Sequence, residues 1–208
     1  MRINYDSIVC LNGDIPSADF FAEHQKPIYA ADGAAWKLHS IGITPNVIVG
    51  DMDSFSQQPH QGEFQHAEHI WMPDQESNDF EKILLVTHER GIHSLLVCGM
   101  HGGELEHTLN NWSVLTRYAW THKLHVYDAG RIAVPVLDTF TLDTKHNELI
   151  SLIPQPVAQV TTKGLQWELK DETLELGVRE GARNRATGNH IQIHVHNGAV
   201  LVFFDAEM

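Results

Sequence analysis

The chain is poor in cysteine, in basic residues and in long apolar runs. Its 208 residues include two cysteines, Cys10 and Cys98. Each lies inside an apolar run, Ile8-Val9-Cys10-Leu11 and Leu95-Leu96-Val97-Cys98. No C-x-x-C occurs, which excludes a cysteine-based zinc site. Buried free thiols in a reducing compartment are the simplest account. Lys and Arg total 14 against 27 Asp and Glu, a formal net charge of −13 at pH 7. Nucleic acid or an anionic membrane would need a basic patch, so neither is expected as a partner. A phosphorylated small molecule stays open, because a metal ion can supply positive charge. No apolar run reaches the ~20 residues of a membrane span, and no signal-peptide layout begins the chain. A cytoplasmic location is expected. No G-x-x-x-x-G-K-[ST] is present, which excludes a P-loop.

What is present is ordinary for a globular protein: 42% hydrophobic and 20% charged residues, enough chain for one domain or two small ones. The 15 histidines make the net charge sensitive to mildly acidic pH. Up to about residue 128, short apolar runs alternate with helical spacing. Strands are expected at 7–11, 28–31, 47–49, 70–72, 94–98 and 124–127. A helix is expected at about 34–40. Another carries Phe80, Ile83, Leu84 and Thr87, capped by Ser77 or Asn78 and stopped by Gly91. Leu105, Leu109, Trp112 and Ala119 mark one face of a longer helix. The polar stretch 56–69, with His60, His66 and His69, reads as an exposed connection. Beyond about residue 128 helical spacing disappears. Short runs follow at 132–137, 140–142, 149–153, 165–169, 173–176, 191–196 and 199–204, with Asn197-Gly198 read as a hairpin turn between the last two. The expected fold is therefore an N-terminal, mostly parallel, Rossmann-like α/β sheet domain at 1–134. An all-β sandwich or barrel follows at 135–208.

In a parallel sheet, ligands bind beyond the carboxyl ends of the strands. The special residues gather there: Asn12 to Asp14, Asp32-Gly33, Asp51 and Asp53, Asp74 to Asp79, and the His101 to His107 loop. The centre of interest is Val47-Ile48-Val49-Gly50-Asp51-Met52-Asp53-Ser54-Phe55. If the backbone stays extended, Asp51 and Asp53 point to one side. Two such carboxylates repel by about 4 kcal/mol at ~4 Å and a dielectric near ~20, which a hard divalent cation relieves. A solvated acidic turn is the plain alternative. Asp79 would add a third carboxylate, though the first turn of a helix also favours one for dipole reasons. Gly102-Gly103 before a helix would let N–H groups approach a phosphate. His194 and His196 read as a polar strand face, and Trp71, Trp112 and Trp120 as packing.

These residues resemble the thiamine pyrophosphokinases. The resemblance rests on four ordered segments and covers most of the chain. They are Ala31-Asp32-Gly33-Ala34-Ala35 with Gly42 and Pro45; Gly50-Asp51-Met52-Asp53-Ser54; Asp74-Gln75-Glu76-Ser77-Asn78-Asp79 with Lys82; and Gly102-Gly103-Glu104-Leu105-Glu106-His107-Thr108-Leu109 with Asn111. The β-rich part adds Ser151-Leu152-Ile153-Pro154, Thr161 to Trp167, Gly181 and Asn184.

The resemblance implies an α/β catalytic domain, a C-terminal thiamine-binding β-sandwich, and a homodimer. It implies transfer of a pyrophosphoryl group from ATP to the thiamine hydroxyl, giving thiamine diphosphate and AMP. Asp51, Asp53 and Asp79 would be catalytic and would hold Mg²⁺. Asp32, Gly33, Asn78, Lys82, Gly102, Gly103, Glu106 and His107 would form the ATP side. Gln75, Trp167, Arg183 and Asn184 would form the thiamine side, with Trp167 stacking on the ring. The chain departs from the pattern at several positions. Arg is usual where Glu104 stands, Asp where Glu106 and Glu76 stand, Thr at Asn78, Asn at Trp36 and Ser at Arg183. Arg183 is a candidate source of the positive charge missing at Glu104. Alternative readings are a metal-dependent nucleotide or thiamine-phosphate phosphohydrolase, and a homologue that binds without turnover.

Overall fold

The computed structural model describes residues 3–53 and 61–206, so Ser54, Phe55 and His60 lie outside the described residues. The chain forms two compact units, Ile3–Ala129 and the residues from Gly130 onward.

In the first unit, β1 (Ser7–Cys10), β2 (Ile28–Ala31), β3 (Val47–Gly50), β4 (Glu68–Trp71), β5 (Ser94–Cys98) and β6 (Lys123–Asp128) are all parallel. Their order is β6-β5-β1-β2-β3-β4. Every residue of β1, β2 and β3 is buried, which is why they read as unbroken apolar runs rather than alternating ones. Cys10 and Cys98 are buried free thiols facing each other across the β1–β5 ladder.

Helices α1 (Ala18–His24), α2 (Asp32–Ser40), α3 (Asp79–Glu89) and α4 (Leu105–Tyr118) connect the strands. Asn78 caps α3, its Oδ1 accepting the Glu81 N–H at 2.9 Å. Phe80, Ile83, Leu84, Val86 and Thr87 bury one face, each large apolar side chain contributing about 1.5–3 kcal/mol. Because β1 lies between β2 and β5, the chain leaves its two neighbours in opposite directions. That switch point opens a crevice at the carboxyl ends of β1 and β5.

Helix α4 differs from the reading of its sequence. Leu105 and Leu109 are exposed, 69% and 63%, and the buried residues are Val114 and Leu115. The helical spacing is real, but only the C-terminal half of α4 is covered by other elements. No helix among the described residues is long and apolar enough to cross a membrane.

The second unit comprises β7 (Arg131–Val136), β8 (Thr139–Asp143), β9 (Leu149–Lys163), β10 (Glu172–Glu175), β11 (Gly181–Arg185) and β12 (His190–Asp205). Here several expectations fail. Asn197-Gly198 is no hairpin turn: β12 runs straight through it for 16 residues. The expected strand at 165–169 is only an isolated bridge from Leu165 to Ala186. β9 is far longer than 149–153, and β11 carried no apolar signal. One cause underlies these differences. β9 and β12 pair over most of their length, and each takes different further partners along its two halves. The first half of β9 takes β11 and its second half takes β10. The first half of β12 takes β8 and its second half takes β7. Phe140 of β8 meets Phe204 of β12 at 5.9 Å between ring centres, closing one half onto the other.

The bend in β12 is a bulge, with the register shifting between Val195 and Asn197 and again between Gly198 and Val200. Burial switches accordingly from Ile191, Ile193 and Val195 to Val200, Val202 and Phe204. Gly198 sits at φ +81°, and a Cβ there would lie 2.1 Å from the Val157 carbonyl oxygen. Gly198→Ala should therefore cost about 1–3 kcal/mol, read as a lower urea midpoint at unchanged slope. A wild-type midpoint would contradict this account of the bend.

Candidate active site

The acidic residues of the site lie in the connections that follow β2, β3 and β4. β3 ends at Gly50, where a Cβ would come within 2.9 Å of the Asp32 side chain. The missing side chain lets Asp51 arrive beside Asp32, the first residue of α2. Met52 then takes a left-handed φ of +63°, so the backbone does not stay extended between the two aspartates. The period-two argument for a common side fails for that reason. Instead the Asp53 N–H donates to Asp51 Oδ1 at 3.1 Å, closing a tight turn. The other oxygen, Oδ2, accepts from Gln75 Nε2 at 2.9 Å. Gln75 first, and the Asp53 N–H second, hold the Asp51 carboxyl below the ordinary carboxylate range. Asp53 itself is exposed.

Asp79 opens α3. Burial, followed by repulsion from Asp32, pushes its carboxyl up to about 6, with Lys82 opposing and Asp51 adding. Lys82, only 3% exposed, places Nζ 3.6 Å from Asp79 Oδ1. Burial also raises Asp32, against the Gly33 N–H, and Asp51 adds to the rise. Its Oδ2 is buried with no hydrogen-bond partner among the described residues. Asp32, Asp51 and Asp79 thus repel one another around a single buried lysine. An unpartnered buried carboxylate oxygen in an all-oxygen set suits a hard divalent cation. Asp32, expected on the nucleotide side, lies beside Asp51 and Asp79.

A cleft of about 310 Å³ opens beside Asp79. It lies at the β1/β5 switch point, between the loops after those strands. Its walls include Asn12 and Gly13, the α3 start at Asn78, and Gly103, Glu104, His107 and Asn111 around the start of α4. The two loops are tied backbone to backbone by Gly13 N–H to Gly99 O at 2.9 Å. At Gly102, φ is +91°, a conformation strained for any other residue, and a Cβ would also displace the Asp14 carboxyl. Lys37 Nζ holds the Asn12 and Gly13 carbonyls at 2.7 and 2.9 Å. Asn78 Nδ2 donates to Asn111 Oδ1 at 3.0 Å, joining the N-cap of α3 to the middle of α4.

Trp112, read as packing, Trp36, a departure from the family pattern, and Lys37 have defined places. Trp112 is more than packing: its N–H donates to His101 Nε2 at 3.1 Å, leaving Nδ1 to donate to Asp128 at 3.0 Å. Trp36 packs on the cluster of Ala35, Ile48, Phe64 and Ala67, with Met52 beside it. Lys37 was not singled out, since a lone helical lysine carries no sequence signal. Glu104 stands at the cleft mouth before α4, caps nothing, and lies 3.3 Å from His107. Glu106 and His107 are exposed on the first turn of α4.

In the second unit the structure joins Trp167, Asn184 and Arg183. The Trp167 N–H donates to Asn184 Oδ1 at 3.2 Å, and Asn184 Nδ2 donates to the Trp167 carbonyl at 2.8 Å. Asn184 is buried and spends its amide on this loop, while the Trp167 ring is 59% exposed. Sheet packing does not account for that ring. Arg183 takes φ +59° and its N–H donates to Ser151 Oγ at 2.9 Å.

Residues 19–127 match the family model described as "Thiamin pyrophosphokinase, catalytic domain", and 139–200 match "Thiamin pyrophosphokinase, vitamin B1 binding domain". The first match alone spans more than half of the chain. The chain belongs to the thiamin pyrophosphokinase family. Membership carries the enzyme class, forming thiamine diphosphate by pyrophosphoryl transfer. Thiamine pyrophosphokinase 1 of Arabidopsis thaliana is 26% identical, the match covering 82% of this chain and 75% of that protein. The fold agrees with solved thiamine pyrophosphokinase structures. That from Bacillus subtilis has a TM-score of 0.79 at 18% identity, over 97% of this chain and 100% of that one. That from yeast has a TM-score of 0.79 at 19% identity, over 98% and 87%.

The raised Asp79 carboxyl has a sign. Its folded pKa of about 6 lies above the ordinary 3.8, so its ionisation weakens the fold as pH rises through that window. In metal-free protein, Asp79→Asn should be more stable than wild type by about 1–2 kcal/mol at pH 7.5 after allowance for solvent screening. The gain should vanish at pH 4 in urea titrations. A variant less stable than wild type at pH 7.5 would contradict the crowding of these carboxylates.

Proposed function

We propose that this thiamine pyrophosphokinase family member uses ATP and Mg²⁺, with Asp51, Asp53 and Asp79 as the metal-holding catalytic residues. One observation carries the reading: Asp32, Asp51 and Asp79 crowd around Lys82 beside the switch-point cleft, with one buried carboxylate oxygen unpartnered. Asp32 joins the oxygen donors available to the ion. When bound, Mg²⁺ neutralises phosphate charge and fixes the phosphates in line.

The cleft accepts the nucleotide. Its about 310 Å³ lies at the small end of ligand pockets. Gly102, Gly103 and the start of α4 face the phosphates with backbone N–H groups. Gly33, Asn78, Lys82, Glu106 and His107 complete that side. Asn78 does so by locking α3 to α4, and Lys82 by balancing the carboxylates. Trp167 stacks on the thiamine ring, Asn184 holds the Trp167 loop, and Arg183 and Gln75 complete the thiamine side. The thiamine hydroxyl oxygen attacks the β-phosphorus as the bond from that phosphorus to the AMP oxygen breaks. The hydroxyl proton passes to a carboxylate of the cluster. The enzyme works as a homodimer in the cytoplasm, a reading supported by the exposed apolar Leu105 and Leu109 and by the reduced Cys10 and Cys98.

The test follows AMP and thiamine diphosphate in a mixture of ATP, Mg²⁺ and thiamine. Equal formation of both is expected; nucleotide breakdown without thiamine would replace this reading with a phosphohydrolase. Asp51→Asn should lower kcat by at least about 100-fold with the fold intact. Near-normal turnover would remove the metal assignment. Trp167→Ala should raise the KM for thiamine about 10-fold or more, the loss of about 1–3 kcal/mol of stacking. Glu104→Arg should lower the KM for ATP about 10-fold by restoring a cation at the cleft mouth; an unchanged value would show that Glu104 does not face the phosphates.

A further inference from the structure

Three histidines converge at the opposite edge of the parallel sheet from the acidic cluster. His88 lies in the last turn of α3, His93 just before β5, and His122 just before β6. The chain holds all three on fixed backbone. Gly91 ends α3 at φ +71°, its N–H bonding the His88 carbonyl at 3.0 Å. His93 and His122 are neighbours at the start of the β5–β6 ladder, where Lys123 N–H donates to the His93 carbonyl at 2.6 Å. His122 is also fixed by its own N–H to the Tyr118 carbonyl at 3.0 Å. Ring centres are 5.0 Å apart for His88–His93 and 5.6 Å for each of the other two pairs. One ring nitrogen from each histidine lies within 4.8 Å of the others.

Ring packing alone leaves one atom unexplained. His122 is 4% exposed, and its Nε2 is buried with no hydrogen-bond partner among the described residues. Its Nδ1 already meets Thr121 Oγ1 at 3.0 Å. A buried polar atom left unpaired needs an explanation, and an electron-pair acceptor between the three rings supplies one.

We infer that His88, His93 and His122 form a second metal site, which takes a borderline-soft divalent transition ion such as Zn²⁺ with water in the fourth position. The donor set selects the ion. Three imidazoles without a carboxylate favour Zn²⁺, Co²⁺ or Ni²⁺ over Mg²⁺ or Ca²⁺, so the two sites sort their metals by ligand chemistry. Zn–N bonds of about 2.0–2.1 Å would draw the ring nitrogens closer than their present spacing, and His88 and His93, both exposed, are the rings with room to move. Such an ion clamps α3 to the starts of β5 and β6.

The experiment titrates chelator-treated, full-length protein with Co²⁺ and follows its visible ligand-field bands, then displaces it with Zn²⁺. Wild type should bind a single Co²⁺ tightly with a tetrahedral spectrum, and Zn²⁺ should raise the Tm. His88→Ala and His93→Ala replace exposed residues and should fold normally. Each should weaken binding by at least about 100-fold, since even outer-shell changes cost about 10–100-fold. Both should lose the Zn²⁺-dependent rise in Tm. Asp51→Asn should keep the tetrahedral signal. Three results would overturn the inference: no tetrahedral signal in wild type, unchanged affinity in the histidine variants, or a signal lost in Asp51→Asn alone.

Discussion

Carboxylates brought together against their mutual repulsion are the constraint on which the α/β unit depends. Asp32, Asp51 and Asp79 come from three different connections at one end of the strands; Asp51 raises the cost of ionising Asp32, and both raise that of Asp79. Gly50 admits Asp51 to the side of Asp32, and Lys82, almost fully buried, offsets part of the charge. A fold optimised for stability alone would not assemble this group. Its stability must come from elsewhere, from the buried strands and the apolar face of α3. The site is a place where local preference is overridden, as expected where function is stored.

Trp36 shows how a departure from the family pattern is absorbed. It stands where Asn is expected, yet it packs on Phe64 at 4.8 Å between ring centres and beside Met52, the residue that turns the acidic loop. Glu104 is different. It sits at the mouth of the cleft with His107 at 3.3 Å, and nothing in the structure turns it into a cation.

The β unit is organised by two strands rather than by a set of short ones. β9 and β12 each take different further partners along their two halves, and their bends were read as ends. The Asn-Gly pair at 197–198 has the chemistry of a hairpin turn, because a left-handed φ is required either way. Whether such a residue reverses the chain or bulges a continuous strand depends on the partner strand. Here Asn197 and Gly198 stay paired to Gln159 and Ala158 of β9. β11 was invisible because Gly181 to Arg185 carries no apolar alternation; it is held by its pairing to β9.

The sequence by itself determined the strands of the α/β unit, their mostly parallel character, and the strand ends at which the polar residues collect. Full burial leaves an unbroken apolar signature, and glycine and aspartate mark where the backbone turns. Four ordered segments were enough to indicate the family. Only the tertiary structure decided which carboxylates meet. The left-handed turn at Met52 exposes Asp53, whereas Asp32, fifteen or more residues away from either partner, is drawn in by the β2–β3 pairing. The same holds for His88, His93 and His122. Their spacing along the chain signals nothing, and they converge because the ladder between β5 and β6 sets two of them side by side at the end of α3. Contacts between residues distant in sequence depend on register and crossover, and neither is written in local composition.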